Sequence, residues 1–242
     1  MSSPQHASDR SRLVSLADEE GVKEILATSI LGLWDVVNEL TRLRPSKREH
    51  YRVAIFGSAR AEPGTFVYEE VKRVSAAFAA MGCDIVTGGG PGLMQAANEG
   101  ATSVGARLGS MGIRVELPFE QDVNPFVKQA FEHKTFFTRL HHFVLVSDAF
   151  VVVPGGIGTL LETAMIWQLL QVRKLHNVPL ILAGKMYCEL VNWCKTSMLR
   201  PDCPLASPED MTIPVCVEDG PAILEIVRAR HAAWKAEQGI AH

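Results

Sequence analysis

With 242 residues, 47% of them hydrophobic and 21% charged, the chain is long enough for one α/β domain with a substantial core and has the composition of a globular protein. A net charge of −3 provides no overall basic field and argues against a nucleic-acid partner. Five cysteines without a C-x-x-C pair argue against a disulfide scaffold or a zinc site, and no apolar run is long enough to span a bilayer. The first nine residues lack an apolar signal core, so a cytoplasmic protein with no membrane partner is the expectation.

Residues 1–17 are rich in Ser, Arg and His and read as a disordered N-terminus. Over 18–45, Val22, Ile25, Leu26, Ile30, Leu33, Trp34, Val37 and Leu40 recur at helical spacing and Pro45 follows, so one added N-terminal helix docked on the core is expected. From 50 to 238 strand-like and helix-like segments alternate. Strand 53–56 leads to helix 66–81, closed by Gly82, then strand 84–87, helix 93–106 and strand 113–117. Helices 124–131 and 136–146 precede strand 149–153, helix 158–172, strand 179–182 and helix 185–198. An edge strand within 211–217 and a last helix over 221–235, capped by Asp219, complete the chain. This alternation predicts an α/β fold: a Rossmann-like, doubly wound parallel sheet with helices on both faces, a single domain over 50–238.

Ligands in such sheets bind at the carboxyl ends of the strands, near the point where the strand order reverses. Three glycine-rich turns fall at predicted strand ends: Gly57-Ser58, Gly88 to Gly92, and Gly155 to Gly158. None has the spacing of a dinucleotide fingerprint or of a P-loop, which leaves a mononucleotide with one phosphate as the better fit. Gly155, Gly156, Gly158 and Thr159 open a helix and would offer backbone N–H groups and a hydroxyl to a phosphate; a tight turn without ligand is the plain alternative. Gly88, Gly89 and Gly90 would let a second loop approach the same ligand, with Met94 packing on a base or filling core. Ser58 lies outside a G-x-S-x-G elbow and reads as a hydrogen-bond donor to substrate. Glu162, flanked by Leu160, Leu161, Ala164, Met165, Ile166 and Trp167, needs a partner, and Arg139 is the candidate; a structural ion pair is the plain alternative. No His, Cys or Asp cluster has metal spacing, so neither a metal nor a cofactor is expected.

The segment Pro154-Gly-Gly-Ile-Gly-Thr-Leu-Leu-Glu162 resembles the Pro-Gly-Gly-x-Gly-Thr-x-x-Glu signature of the Lonely Guy family, the cytokinin-activating phosphoribohydrolases, whose members often carry the label lysine decarboxylase. Phe56-Gly57-Ser58-Ala59, Gly88 to Met94, and Arg139 at its offset before Pro154 agree with it, so the resemblance spans roughly 50–235. Residues 115–121 look like those of the longer bacterial members. Two positions depart: Leu140 stands where the family usually has Lys, and Leu161 where it often has Glu. The resemblance implies hydrolysis of the N-glycosidic bond of an (N6-modified) adenosine 5′-monophosphate to free base and ribose 5-phosphate. Catalysis would be by Arg139 and Glu162, without a cofactor, in a homodimer or higher homo-oligomer, with the helix from Glu162 to Val172 as a contact.

Three further readings stay open at this level. A non-catalytic binding module, similar to the molybdenum-cofactor carriers in fold, would use the loops without the carboxylate. A lysine decarboxylase would need a Schiff-base lysine, for which Lys185 is the candidate against a plain exposed lysine at a helix start. The acid that protonates the leaving base is water, Asp148 or the base itself, and His141 and His142 read as helix-surface residues, with one of them facing the pocket as the alternative.

Overall fold

The computed structural model describes residues 14–41, 49–105, 109–116 and 122–239. The chain divides into a unit up to Arg48 and a unit from Glu49. In the first, the backbone turns at Ser15, whose carbonyl accepts from Asp18 N at 2.9 Å, and enters α1 (Glu19–Thr41), the expected N-terminal helix. The turn trims the segment expected to be disordered; residues 1–13 and Pro45 lie outside the described residues.

The second unit is a seven-stranded parallel sheet with helices on both faces, as the alternation predicts. Its strands are β1 (Tyr51–Phe56), β2 (Cys83–Thr87), β3 (Ser110–Val115), β4 (Gln129–His133), β5 (Ala149–Val152), β6 (Leu180–Ala183) and β9 (Pro214–Val217), in the order β4-β3-β2-β1-β5-β6-β9. A short antiparallel pair, β7 (Leu199–Arg200) and β8 (Cys203–Pro204), lies apart from it. β1 is the pivot. The chain runs outward from it through β2, β3 and β4, then returns to lay β5 on its other side, in the register Val53↔Ala149 to Phe56↔Val152. The strand order therefore reverses between β1 and β5.

Alternation along each strand feeds two cores. Val53, Ile55, Val151 and Val153 face one side, where α2 (Phe66–Ala80), α3 (Leu93–Ser103) and α7 (Gly220–Gln238) cover them. Ala54, Phe56, Phe150 and Val152 face the other, under α4 (Phe136–Val146), α5 (Ile157–Gln171) and α6 (Lys185–Met198). Phe56 joins strand and helix there, edge-on to Phe143 at 4.9 Å and stacked on Phe150 at 5.9 Å. Helix boundaries follow local chemistry. Gly82 takes φ +86° after α2, and the Asp219 carboxylate accepts from Ala222 N at 3.0 Å to cap α7.

One predicted element is wrong in kind. The helix expected over 124–131 is a turn followed by edge strand β4. Its residues favour helices, but Phe131 and His133 alternate inward, and five-residue pairing with β3 overrides the local preference. The edge strand expected over 211–217 is shortened, because a 3-10 helix at Pro208–Thr212 takes its first residues.

α3 packs closely against α2, where a Cβ at Gly100 would run into the Lys72 carbonyl oxygen. Gly100→Ala is therefore expected to lower stability by about 1–3 kcal/mol, although alanine is the better helix former. Urea unfolding checks this, and an unchanged or raised midpoint would contradict it.

Candidate active site

The turns after β1, β2 and β5 meet at the carboxyl end of the sheet and are latched to one another. Ser58 N donates to Pro154 O at 3.0 Å, and Leu93 N donates to Ser58 O at 2.8 Å. Space there admits only glycine at two positions. A Cβ on Gly57 would meet Val153, and one on Gly92, at φ +69°, would strike the backbone of Ser58 and Ala59. An open hollow of about 430 Å³ lies beside the latch, lined by Ser58, Arg60, Leu93, Pro154, Gly155 and Gly156 among others.

Arg139 and Glu162 come from different helices and meet at this end. The Thr135 hydroxyl caps α4 by accepting from Thr138 N at 3.2 Å, which places Arg139 in the first turns of the helix. The guanidinium is then held on several sides. Nε donates to Ile113 O at 2.9 Å, Nη1 pairs with Glu162 Oε1 at 2.9 Å, and the carbon centre lies 5.2 Å from the Phe143 ring. Glu162 is buried, with side chains 12% and 9% exposed for the arginine and the glutamate respectively. Burial pushes its carboxyl above the usual carboxylate range, against the opposing pull of Arg139. The pairing predicted for these two residues is therefore present.

Gly88 explains its own identity. A Cβ there would come within 2.5 Å of Arg139 Nη2 and 2.7 Å of Met94 Sδ, so the glycine makes room for the guanidinium. Gly88, Met94, Arg139 and Glu162 thus form one cluster. Gly89 and Gly90 face inward: Gly89 N donates to Thr87 Oγ1 at 3.0 Å, and the carbonyls of both accept from Asn124 at 2.9 Å. Gly89 N–H is thereby committed within the protein. In the third loop a Cβ on Gly155 would collide with the Thr159 side chain, whereas Gly156 and Gly158 face open space. Gly156 caps α5, which begins one residue earlier than expected. The Ser58 hydroxyl accepts from Arg60 N at 3.1 Å and keeps its own hydrogen to donate.

Position decides several readings that the sequence leaves open. Asp148 precedes β5 at the opposite end of the sheet, where its carboxylate accepts from Arg52 N at 2.9 Å, so it is remote from the cluster. Lys185, at the start of α6, is 88% exposed and paired with Glu189 at 3.5 Å, which agrees with the plain reading of an exposed lysine at a helix start rather than a buried Schiff-base lysine. His141 and His142 are half-buried rather than on a free surface. His142 Nδ1 lies 2.9 Å from His133 Nε2, and its ring packs edge-on to Phe131. Among the described residues no His, Cys, Asp and Glu group could hold a metal ion, and no helix is long and apolar enough to cross a membrane. Sequence reasoning missed Tyr187 on α6. Its fully buried phenol is pushed up to about 12, first by burial and then by the charge of Glu162.

A protein-family model described as "Possible lysine decarboxylase" matches residues 94–227, more than half of the chain. The chain belongs to this family. That description is the label under which the Lonely Guy resemblance is expected, and the matched span contains Met94, Arg139 and the whole Pro154–Glu162 signature. No curated protein matches the chain. Among solved structures, the molybdenum cofactor carrier protein of Chlamydomonas reinhardtii aligns with a TM-score of 0.56 at 20% identity, over 75% of this chain and 99% of the other. The molybdenum cofactor binding protein of Rippkaea orientalis aligns with a TM-score of 0.55 at 19% identity, over 76% of this chain and 98% of the other. At these identities the likeness shows the shared Rossmann-like fold.

Two outcomes follow for this family member. Arg139→Ala leaves the Glu162 carboxylate buried without its counter-charge and is expected to cost about 3–5 kcal/mol at neutral pH. The carboxyl of that variant has a folded-state pKa raised further above its unfolded value. Its stability therefore falls as pH rises from the ordinary carboxylate range, and recovers at acid pH where the carboxyl is protonated. Urea titrations at acid and neutral pH check this; equal losses at both would contradict it. His142 behaves oppositely. Burial first, then the neighbouring His133, Arg52 and His141, lowers its pKa to about 4, so it stays neutral in the fold. Stability linked to it is present above the unfolded value near 6.5 and drains away as pH falls from there toward about 4. His142→Asn is expected to flatten that limb of the pH–stability curve, measured by thermal unfolding.

Proposed function

We propose that the protein is a phosphoribohydrolase that cleaves the N-glycosidic bond of a purine nucleoside 5′-monophosphate, releasing the free base and ribose 5-phosphate. One observation carries this reading: a buried arginine–carboxylate pair stands at the carboxyl ends of the strands, among three glycine-rich turns, one of which opens a helix. The turns suit one phosphate, and the carboxylate suits a developing cation.

In this reading Gly155, Gly156, Gly158 and Thr159 receive the 5′-phosphate at the N-terminus of α5, and Ser58 donates to it. Glu162 lies beneath the ribose, binds its hydroxyls and stabilises the positive charge that builds on C1′ as the bond to the base nitrogen lengthens. A water attacks C1′, the bonding pair leaves with the base, and Glu162 takes the water's proton. The departing base takes its proton from solvent, either as the bond breaks or beforehand at a ring nitrogen, since Asp148 is remote. Arg139 opposes the protonation of Glu162 that burial favours and aims its carboxylate, and its permanent charge makes it a holder of substrate rather than an acid. No step calls for a cofactor. The finer assignment is an adenine nucleotide, N6-modified in a cytokinin-activating role, and it rests on the family resemblance.

We also propose a homo-oligomer, at least a homodimer. Ile157 and Leu161 are exposed on α5, as are Phe136 and Phe137 at the start of α4. Apolar residues in such number beside a site are the mark of an interface.

The rival is a binding module like the carriers that share the fold, which would hold a phosphorylated ligand without breaking it. Chromatography of AMP and N6-isopentenyl-AMP after incubation with the protein separates the two. Base release that falls by about a hundredfold or more in Glu162→Ala supports the hydrolase, given what removal of one charge-stabilising group costs. Binding without release from either nucleotide would move the assignment to the carrier.

A further inference from the structure

The hydrolysis derived above leaves a set of buried polar side chains under the triple-glycine loop without a task. Thr87 at the end of β2, Asn98 in the middle of α3, Ser110 at the start of β3 and Asn124 in the following turn are each at most 5% exposed. Buried polar groups in such number cost free energy unless their hydrogen bonds are complete, and here they are.

Asn98 is the hub. Its Oδ1 accepts from Thr87 Oγ1 at 2.7 Å and from Asn124 Nδ2 at 3.0 Å. Its Nδ2 donates to Ser110 Oγ at 2.9 Å and, more weakly, to Met111 O at 3.4 Å. The amide can sit only one way round, because a flipped Nδ2 would face the Asn124 amide donor. Both partners of Oδ1 pass the constraint on to the loop. Thr87 Oγ1 gives its hydrogen to Asn98 and so presents a lone pair to Gly89 N at 3.0 Å. Asn124 grips the carbonyls of Gly89 and Gly90, both at 2.9 Å. The loop so fixed carries Gly88, whose missing side chain is the space filled by Arg139 Nη2 and Met94 Sδ.

We propose that Asn98 is a positioning residue for Arg139: through Thr87 and Asn124 it fixes the Gly88–Gly90 backbone as the wall against which the guanidinium lies. The Asn98 side chain bonds to Thr87, Ser110, Met111 and Asn124 rather than to Arg139 or Glu162, and so acts through the loop. Its kinetic consequence rests on the phosphoribohydrolase reading, and its structural consequence does not.

Thr87→Val tests this with least disturbance, since it replaces one oxygen by a methyl in a buried strand; Asn98→Ala is the stronger and riskier companion. Two measurements are made on each folded variant. In nitrogen-15 NMR, hydrogen exchange at Gly89 N–H and at Arg139 Nε–H is expected to quicken, while exchange in the distant β5–β6 pairing stays as in the parent. With AMP as substrate, kcat is expected to fall about tenfold or more with KM changed by less than about threefold, as for a misplaced catalytic group with intact binding. Unchanged exchange at Arg139 Nε–H in Thr87→Val overturns the proposal, as does unchanged kcat in a variant whose Arg139 exchange has quickened. A parent protein that releases no base sinks the hydrolase reading instead, and the exchange measurement then decides the positioning role alone.

Discussion

A buried carboxylate and the cation that tolerates it are the constraint around which this end of the sheet is built. Glu162 is almost fully enclosed, and its charged form is costly there. Arg139 compensates only if it is held close, and an arginine is a long side chain with much freedom to lose. The fold removes that freedom in advance. The β3 carbonyl of Ile113 takes Nε, the Phe143 ring lies against the guanidinium carbon, and Gly88 leaves a recess for Nη2. With these contacts in place, Nη1 meets Glu162 Oε1 at 2.9 Å. Strand, helix and loop thus contribute one contact each to a single guanidinium.

The glycines divide by the same reasoning. Gly57 is required by the side chains of Val153 and Leu93, and Gly92 by the backbone of Ser58 and Ala59, so both serve the packing of the three turns rather than face a ligand. Gly88 is required by Arg139 and Met94, and Gly155 by Thr159. Gly156 and Gly158 are not required by any neighbour, which leaves the entrance to α5 open in front of its free N–H groups. A run of glycines that reads in the sequence as one phosphate cradle is therefore a composite: some members build the frame, and two keep it accessible.

Sequence periodicity reached most of the fold because the strands of a doubly wound sheet are short, apolar and separated by amphipathic helices. Ala149–Val152 and Leu180–Ala183 are buried throughout, and no other element type suits such runs in that setting. β4 escaped because an edge strand is stabilised by a neighbour more than 10 residues away, while its own residues prefer helix. The Arg139–Glu162 pair was legible because a lone carboxylate among apolar residues demands a partner. The network of Thr87, Asn98, Ser110 and Asn124 was not. Each is an ordinary polar residue locally, and their common function exists only once β2, α3, β3 and the turn before β4 are brought together. Asp148 failed for the converse reason: closeness to β5 in sequence placed it at the amino end of the strand, away from the chemistry.

The two departures from the family pattern return to the same constraint. Leu140, where a lysine is usual, is 6% exposed and belongs to the buried face of α4. A lysine there would have to lift its charge out of the core or lose it. The leucine instead anchors the helix next to Arg139. Leu161, where a second carboxylate is common, is 47% exposed on the outer face of α5. Without that carboxylate, Glu162 carries the only acidic charge of the helix that the turn after β5 opens. A single negative charge in apolar surroundings is set by a single positive one, so in this chain the protonation and aim of the carboxylate depend on Arg139 more heavily than they would with a second acid alongside.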